Sequence, residues 1–527
     1  MNKNILNTFG LFRSLFFSTL FVLSLLYSCN ISSDSTSFPD GLPRSTPERE
    51  GISSEGLLRF VNAAEEQTTE FHSFMLLRHG KVVAEGWWHP YKPEINHHMY
   101  SVSKTFTSAA IGFAVQEGLL RLEDKVISFL PYQLPDTISS NLSALTIRNL
   151  LTMSAGQIPP PTFQITDQNW VKLFLSTPID TLPGSRLTYS SYTTYMLSAI
   201  LHKVTGNSVF EYLTPRLFIP LGITDIQWET DPDGINCGGW GLRIKTADLA
   251  KLGQLYIQKG KWNGKQLLAE AWVNDSTSPQ IYQQPDRSPE ELRGNEGAQG
   301  YGYQLWICSH NSYRIDGAFA QICLVIPEKD VVFAMTARMS KGDFWKPIWN
   351  ELYPSLFDEP LAENKEAYSR LMEKLTSLHL KAPFPENESE KGDSKVAKSY
   401  TLDPNPLHLS QINFSFDSGG NCTMEMVSDT ARYDFNFGLN HWMYGTTQRP
   451  GPYYYNLRRN PVGMAPFNYT GWASWNNSGE LLLNLFYLTD IQSETFVCQF
   501  HGDSVSISIT NTEFANDPPK TLTGRIK

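Results

Sequence analysis

The chain has 527 residues, of which 41% are hydrophobic and 18% charged, a balance that excludes a disordered or low-complexity protein. Its length predicts two or three domains rather than one core. The formal net charge of -10, with no basic run and no base-stacking motif, argues against nucleic acid as a partner.

The first segment reads as a targeting sequence. Lys3 and Arg13 supply positive charge, and an apolar stretch over 15–26 leads into Leu26-Tyr27-Ser28-Cys29. The stretch is too short for a membrane span and fits the core of a signal peptide. A small residue followed by cysteine resembles a bacterial lipobox, although Tyr27 is atypical there. We therefore expect a signal peptide over 1–29 with lipidation at Cys29, ordinary cleavage being the alternative. A Ser- and Asp-rich tether over 30–45 would follow. This places the protein in the bacterial cell envelope, as a periplasmic or outer-membrane lipoprotein or a secreted protein. Its membrane contact would run only through the Cys29 anchor. The other cysteines are Cys237, Cys308, Cys323, Cys422 and Cys498. An oxidising compartment allows one or two disulfides, but the odd count leaves the pairing open. There is no C-x-x-C and no H-E-x-x-H, so no metal or other cofactor is expected.

Residues 53–64 look like a helix with a serine cap, and 74–85 like two strands around a His79-Gly80 turn. Next comes His98-Met99-Tyr100-Ser101-Val102-Ser103-Lys104, which holds the only S-x-x-K in the chain. An apolar run over 109–115 makes this the start of a buried helix. On one helical face, Lys104 lies one turn from Ser101. A serine hydroxyl is a poor nucleophile without a neighbouring base. A lysine becomes that base when burial lowers its pKa. The helix start adds free N–H groups and a positive dipole end.

A short helix over 146–151 stops at Gly156. A loop carrying Tyr189, Ser190 and Ser191 precedes an apolar helix over 196–204, stopped by Gly206. Gly238-Gly239-Trp240-Gly241-Leu242 reads as a bend before a helix from Thr246. Segments 301–306, 313–327 and 331–336 read as neighbouring strands. Strands after several helices predict an α+β domain with an antiparallel sheet backed by helices. A last helix near 364–379 ends in a charged, proline-containing linker. Beyond it, alternating strands such as 411–416, 481–486 and 504–509 are separated by Gly-rich turns, predicting an all-β barrel or sandwich. No G-x-S-x-G occurs, which disfavours an α/β-hydrolase.

In order, Ser101-Val102-Ser103-Lys104, Tyr189-Ser190-Ser191 and Ile315-Asp316-Gly317-Ala318 resemble the motifs of serine hydrolases related to class C β-lactamases and penicillin-binding proteins. Leu150-Leu151-Thr152-Met153-Ser154-Ala155-Gly156 and the Gly-Gly-Trp-Gly-Leu bend are similar as well. The likeness covers about residues 46–360, and its wording is nearest to the 6-aminohexanoate-dimer hydrolase and esterase branch. It implies a β-lactamase/transpeptidase-like fold over 46–382, with a helical subdomain beside the sheet. A linker over 383–398 and an all-β accessory domain over 399–527 complete the chain.

The resemblance also implies roles. Ser101 would be the nucleophile, with Lys104 and Tyr189 as base and proton shuttle. The N–H groups of Ser101 and Ala318 would form the oxyanion hole, and Ser191, Asp316 and Gly317 would meet the substrate. Two departures stand out. Ser191 replaces an asparagine common in the second motif, and Ile315-Asp316 replaces the cation of the third. Both argue against an efficient β-lactamase. Arg314 carries charge nearby, but strand alternation could point it away from the site. The expected activity is cleavage of a small ester or linear amide through an acyl-enzyme. The alternatives are a penicillin-recognition sensor with little turnover, or a cell-envelope D-aminopeptidase or β-lactamase. The oligomeric state stays open.

Overall fold

Ser53 caps the first helix, α1 (Ser54–Glu66), by accepting a hydrogen bond from Gly56 N at 3.2 Å. Strands β1 (Glu70–Arg78) and β2 (Lys81–Trp87) follow, joined at His79 and Gly80, whose φ angles of 50° and 73° suit a tight hairpin. A 3-10 turn, Tyr100–Val102, leads into α2 (Ser103–Gln116). Short helices over 126–176 and α3 (Ser191–Thr205) form the helical subdomain, and α2 packs against α3. Then come α4 (Thr246–Ile257), strands β3 (Trp306–Cys308), β4 (Ser312–Gly317), β5 (Gln321–Ile326) and β6 (Val331–Arg338), and α5 (Lys365–Thr376).

This is a computed structural model that describes residues 38–162, 167–284, 286–288, 290–292, 294–339, 343–384, 398–449, 466–512 and 518–526. The expected signal peptide, Cys29, most of the tether and linker positions 385–397 lie outside the described residues. The described residues from 44 onward form one compact unit.

The six strands form one antiparallel sheet in the order β2-β1-β6-β5-β4-β3. β1, β5 and β6 are buried on both faces because helices cover both. Phe60 of α1 meets Phe74 and Phe333 edge to face, with ring centroids 5.7 and 5.5 Å apart. α4 lies on the other face against β1, β5 and β6. Each such buried apolar side chain contributes about 1.5–3 kcal/mol.

Three sequence expectations shift. Of the 301–306 segment only Trp306 belongs to a strand, as the first residue of β3. Gln304 there takes a φ of 66° and donates to the carbonyls of Leu150 and Leu151 at 3.1 and 2.7 Å. Its own groups accept from Thr105 and Thr194, so this loop ties α2, α3 and the subdomain together. The 313–327 segment is two strands, broken at Ala318-Phe319-Ala320. α3 also begins earlier than its apolar run, at Ser191, because Ser190 serves as its cap.

The C-terminal region has its own apolar core, built on residues such as Phe414, Phe437 and Leu483. Its strands run from Lys398 to Ile526 as a ten-stranded sheet. The first, Lys398–Leu402, pairs with the last, Lys520–Ile526. Gly438 and Leu439 pair in parallel with Trp472 and Ala473, which closes the sheet into a barrel. No disulfide joins the described cysteines, all of which are buried.

Candidate active site

The 3-10 turn holds Ser101 between the sheet and the helical subdomain. Lys104, one turn on, is 1% exposed. Its Nζ lies 2.8 Å from Ser101 Oγ, 3.1 Å from Ser191 Oγ and 2.7 Å from the Gly239 carbonyl. Burial pushes its pKa down from 10.5 to about 7, although Asp316 pulls the other way. An amine poised near neutrality within hydrogen-bond reach of a hydroxyl satisfies the geometric and electrostatic demands on a general base.

Tyr189 closes the other side. Burial holds its hydroxyl's pKa above the usual tyrosine value, although the nearby Ser101 pulls the other way. It therefore stays a neutral proton donor at physiological pH. Lys104 Nζ sits 4.9 Å from the Tyr189 ring centroid. Trp306 stacks on the same ring at 5.7 Å and 23°. Ser191, the first residue of α3, faces the lysine, where its hydroxyl replaces the reach of a longer amide.

The Gly239 carbonyl is a site component that the sequence reading treated only as part of a bend. A Cβ at Gly239 would stand 2.5 Å from the Ser191 carbonyl oxygen. Only glycine lets this segment press against α3 and turn its carbonyl to Lys104. The signal was in the text, since three glycines cluster within Gly238–Gly241, but glycine clusters more often mark plain turns.

β4 ends at the same place. A Cβ at Gly317 would meet the Met99 carbonyl oxygen at 2.3 Å, so the strand end lies directly against the segment carrying the serine. Ala318 follows in the three-residue hairpin loop before β5, where Phe319 and Ala320 take φ angles of 65° and 69°. The structure thus brings Ser101, Lys104, Tyr189, Ser191, Gly317 and Ala318 together. Asp316 is placed at the edge, where Arg314 Nε donates to it at 2.5 Å. Arg314 is 6% exposed, faces the rings of Trp306 and Trp345, and donates to the Glu296 carbonyl. Strand alternation puts Arg314 on the Asp316 side, and its charge is spent on that pair. Among the described residues, no group of three or more His, Cys, Asp or Glu side chains could hold a metal ion.

Comparison with known proteins matches residues 62–347 to the Beta-lactamase family. The 6-aminohexanoate-dimer hydrolase of Paenarthrobacter ureafaciens is 25% identical over 226 residues, covering 40% of this chain and 57% of that enzyme. An uncharacterized protein of Alkalihalophilus pseudofirmus is 22% identical over 307 residues, covering 49% of this chain and 81% of that protein. Among solved structures, EstCE1, a hydrolase with promiscuous acyltransferase activity, superposes with a TM-score of 0.48 at 16% identity, covering 57% of this chain and 99% of that one.

Proposed function

This chain belongs to the Beta-lactamase family of hydrolases, and from that premise we propose that it cleaves an ester or linear amide through an acyl-enzyme on Ser101. The carrying observation is the lysine amine, buried and near neutrality, 2.8 Å from the serine hydroxyl. In this reading the neutral Lys104 takes the Ser101 proton as Oγ attacks the carbonyl carbon. The Ser101 and Ala318 N–H groups receive the oxyanion, and removing one such donor costs on the order of 10²–10³ in rate. Lys104 then returns that proton by way of Tyr189 to the leaving group, which leaves the amine neutral and the phenol protonated. Water then hydrolyses the acyl-enzyme, with the same lysine as base.

The Arg314–Asp316 pair supports esters or linear amides over β-lactams, because the guanidinium on the strand that ends at Gly317 already has a carboxylate partner. Nitrocefin turnover should therefore be slow beside that of a p-nitrophenyl ester. We further propose export to the bacterial cell envelope, with Cys29 as the lipid attachment point. A fluorophosphonate probe tests the central reading. It should label the wild-type chain, and Ser101→Ala should abolish labelling and ester turnover. Labelling that survives this substitution would remove Ser101 from its role.

A further inference from the structure

The geometry points to Asp490, a residue of the C-terminal barrel, as a positioning residue for the catalytic serine, acting through Tyr100. The inference rests on the acyl-enzyme reading above but concerns a part of the chain outside its motifs. It gives the barrel a task in catalysis.

Asp490 sits in the loop between strands Leu481–Tyr487 and Ser493–His501 and is 5% exposed. The Tyr100 hydroxyl donates to its Oδ1, which also accepts from Ile491 N at 2.9 Å. Its Oδ2 lies 3.7 Å from His98 Nδ1. The preceding residue, Thr489, accepts through its carbonyl from His98 N at 2.9 Å. One barrel loop therefore grips both the backbone and the side chains of the strand-to-turn segment that ends at Ser101.

The contact falls where the chain needs holding. Tyr100 immediately precedes the nucleophile and takes a φ of 47°, a left-handed conformation that a bulky side chain adopts only when its surroundings enforce it. Its carbonyl accepts from Ser103 Oγ at 2.6 Å, which stabilises the turn, and its hydroxyl is held by Asp490. Its ring meets Phe319 at 5.1 Å, edge to face. Phe319 follows Ala318, so Tyr100 adjoins one of the two residues proposed to carry the oxyanion donors in the chain and touches the chain neighbour of the other. A carboxylate accepting a hydroxyl in a buried place forms one of the stronger hydrogen bonds available to a protein. Losing it frees the Tyr100 ring, and with it the angle at which Ser101 and Ala318 meet the substrate.

The same barrel makes other contacts with the hydrolase domain that do not touch this segment. Phe486 and Leu488 join the hydrolase core, and the Tyr444 hydroxyl donates to the Pro90 carbonyl at 2.8 Å. These contacts dock the barrel, and Asp490 does something separate. The distinction makes the inference testable.

The full chain carrying Asp490→Ala, Asp490→Asn, Tyr100→Phe, the Asp490→Ala/Tyr100→Phe pair, or Tyr444→Phe is assayed on a p-nitrophenyl ester and with the fluorophosphonate. Asp490→Ala should lower kcat and the labelling rate by about ten- to a hundredfold, as misplacements of about 1 Å do, with KM within about threefold. Asp490→Asn keeps an acceptor and should recover much of the loss. In the Tyr100→Phe background, Asp490→Ala should add far less than it costs alone, since the serine is held chiefly through the contact the two residues share. Tyr444→Phe, which loosens docking elsewhere, should leave kcat unchanged. The inference is overturned by wild-type kcat in Asp490→Ala, by losses that multiply with Tyr100→Phe, or by an equal loss in Tyr444→Phe. If Asp490→Ala does not fold, Tyr100→Phe decides: wild-type kcat there overturns it. A wild-type chain that is never labelled at Ser101 fails the acyl-enzyme reading itself, a result none of these variants can mimic.

Discussion

Replacing Lys104 by methionine should inactivate the protein while making it more stable at neutral pH. The folded state holds this amine at a pKa of about 7, against 10.5 in water. Between those values the unfolded chain binds a proton that the folded chain does not, so unfolding takes one up. Stability then rises with pH across this window, and the cost of burying Lys104 is largest below it. At about 1.36 kcal/mol per pKa unit, that cost is about 4 kcal/mol at pH 7 and about 1 kcal/mol at pH 10. Methionine has similar length and no charge, so it removes the cost. It also leaves the buried Gly239 carbonyl without its donor, which costs about 1–3 kcal/mol. The variant should therefore be about 1–3 kcal/mol more stable than wild type at pH 7. The advantage should vanish or reverse near pH 10. Paired urea melts at pH 7, 8.5 and 10 measure the difference, and kcat/KM on an ester should fall by at least about 10²-fold. A variant that is less stable at pH 7, or whose difference does not change with pH, would refute the argument that burial lowers the pKa of this amine.

Three further outcomes follow from the same geometry. Wild-type kcat/KM should rise with pH through an acid limb near 7, because only the neutral amine accepts the proton; Asp316→Asn removes the charge that opposes the depression, so the limb should move to lower pH in a stopped-rate pH profile. Tyr189→Phe keeps the ring stacked on Trp306 but deletes the hydroxyl, and should lower kcat by about 10²-fold with little change in melting temperature. Gly317→Ala puts a methyl 2.3 Å from the Met99 carbonyl oxygen, so the strand end must move; steady-state assays should show at least about a 10²-fold loss in kcat, and near-wild-type activity would mean that the contact is not rigid.

Much of the hydrolase domain is legible because its signals are local. The Ser53 cap, the His79-Gly80 hairpin and the burial of β1 and β6 follow from short-range pattern and from apolar runs too long for a one-sided sheet. Segment 301–306 misleads for the same reason. Its aromatic alternation reads as a strand, but Gln304 turns inward to bond three elements that a single stretch of chain does not reveal. Nor does apolar periodicity show where α3 begins, because its first turn is mostly polar and starts with Ser191, which meets the lysine.

The sequence by itself determined the chemistry on offer. It has one serine with a lysine three residues on, a tyrosine loop, a strand ending in Asp-Gly-Ala, and a separate β-rich tail. Those are matters of residue type and spacing, and spacing along a helix sets which side chains share a face. Tertiary structure alone decided three things. It buried Lys104 deeply enough to bring its pKa near neutrality, it set the Gly239 carbonyl on the amine, and it laid the Asp490 loop on Tyr100 from 390 positions away. Desolvation depends on everything packed around a group, and a long-range contact depends on two elements folding onto each other. Neither is written in the order of neighbouring residues.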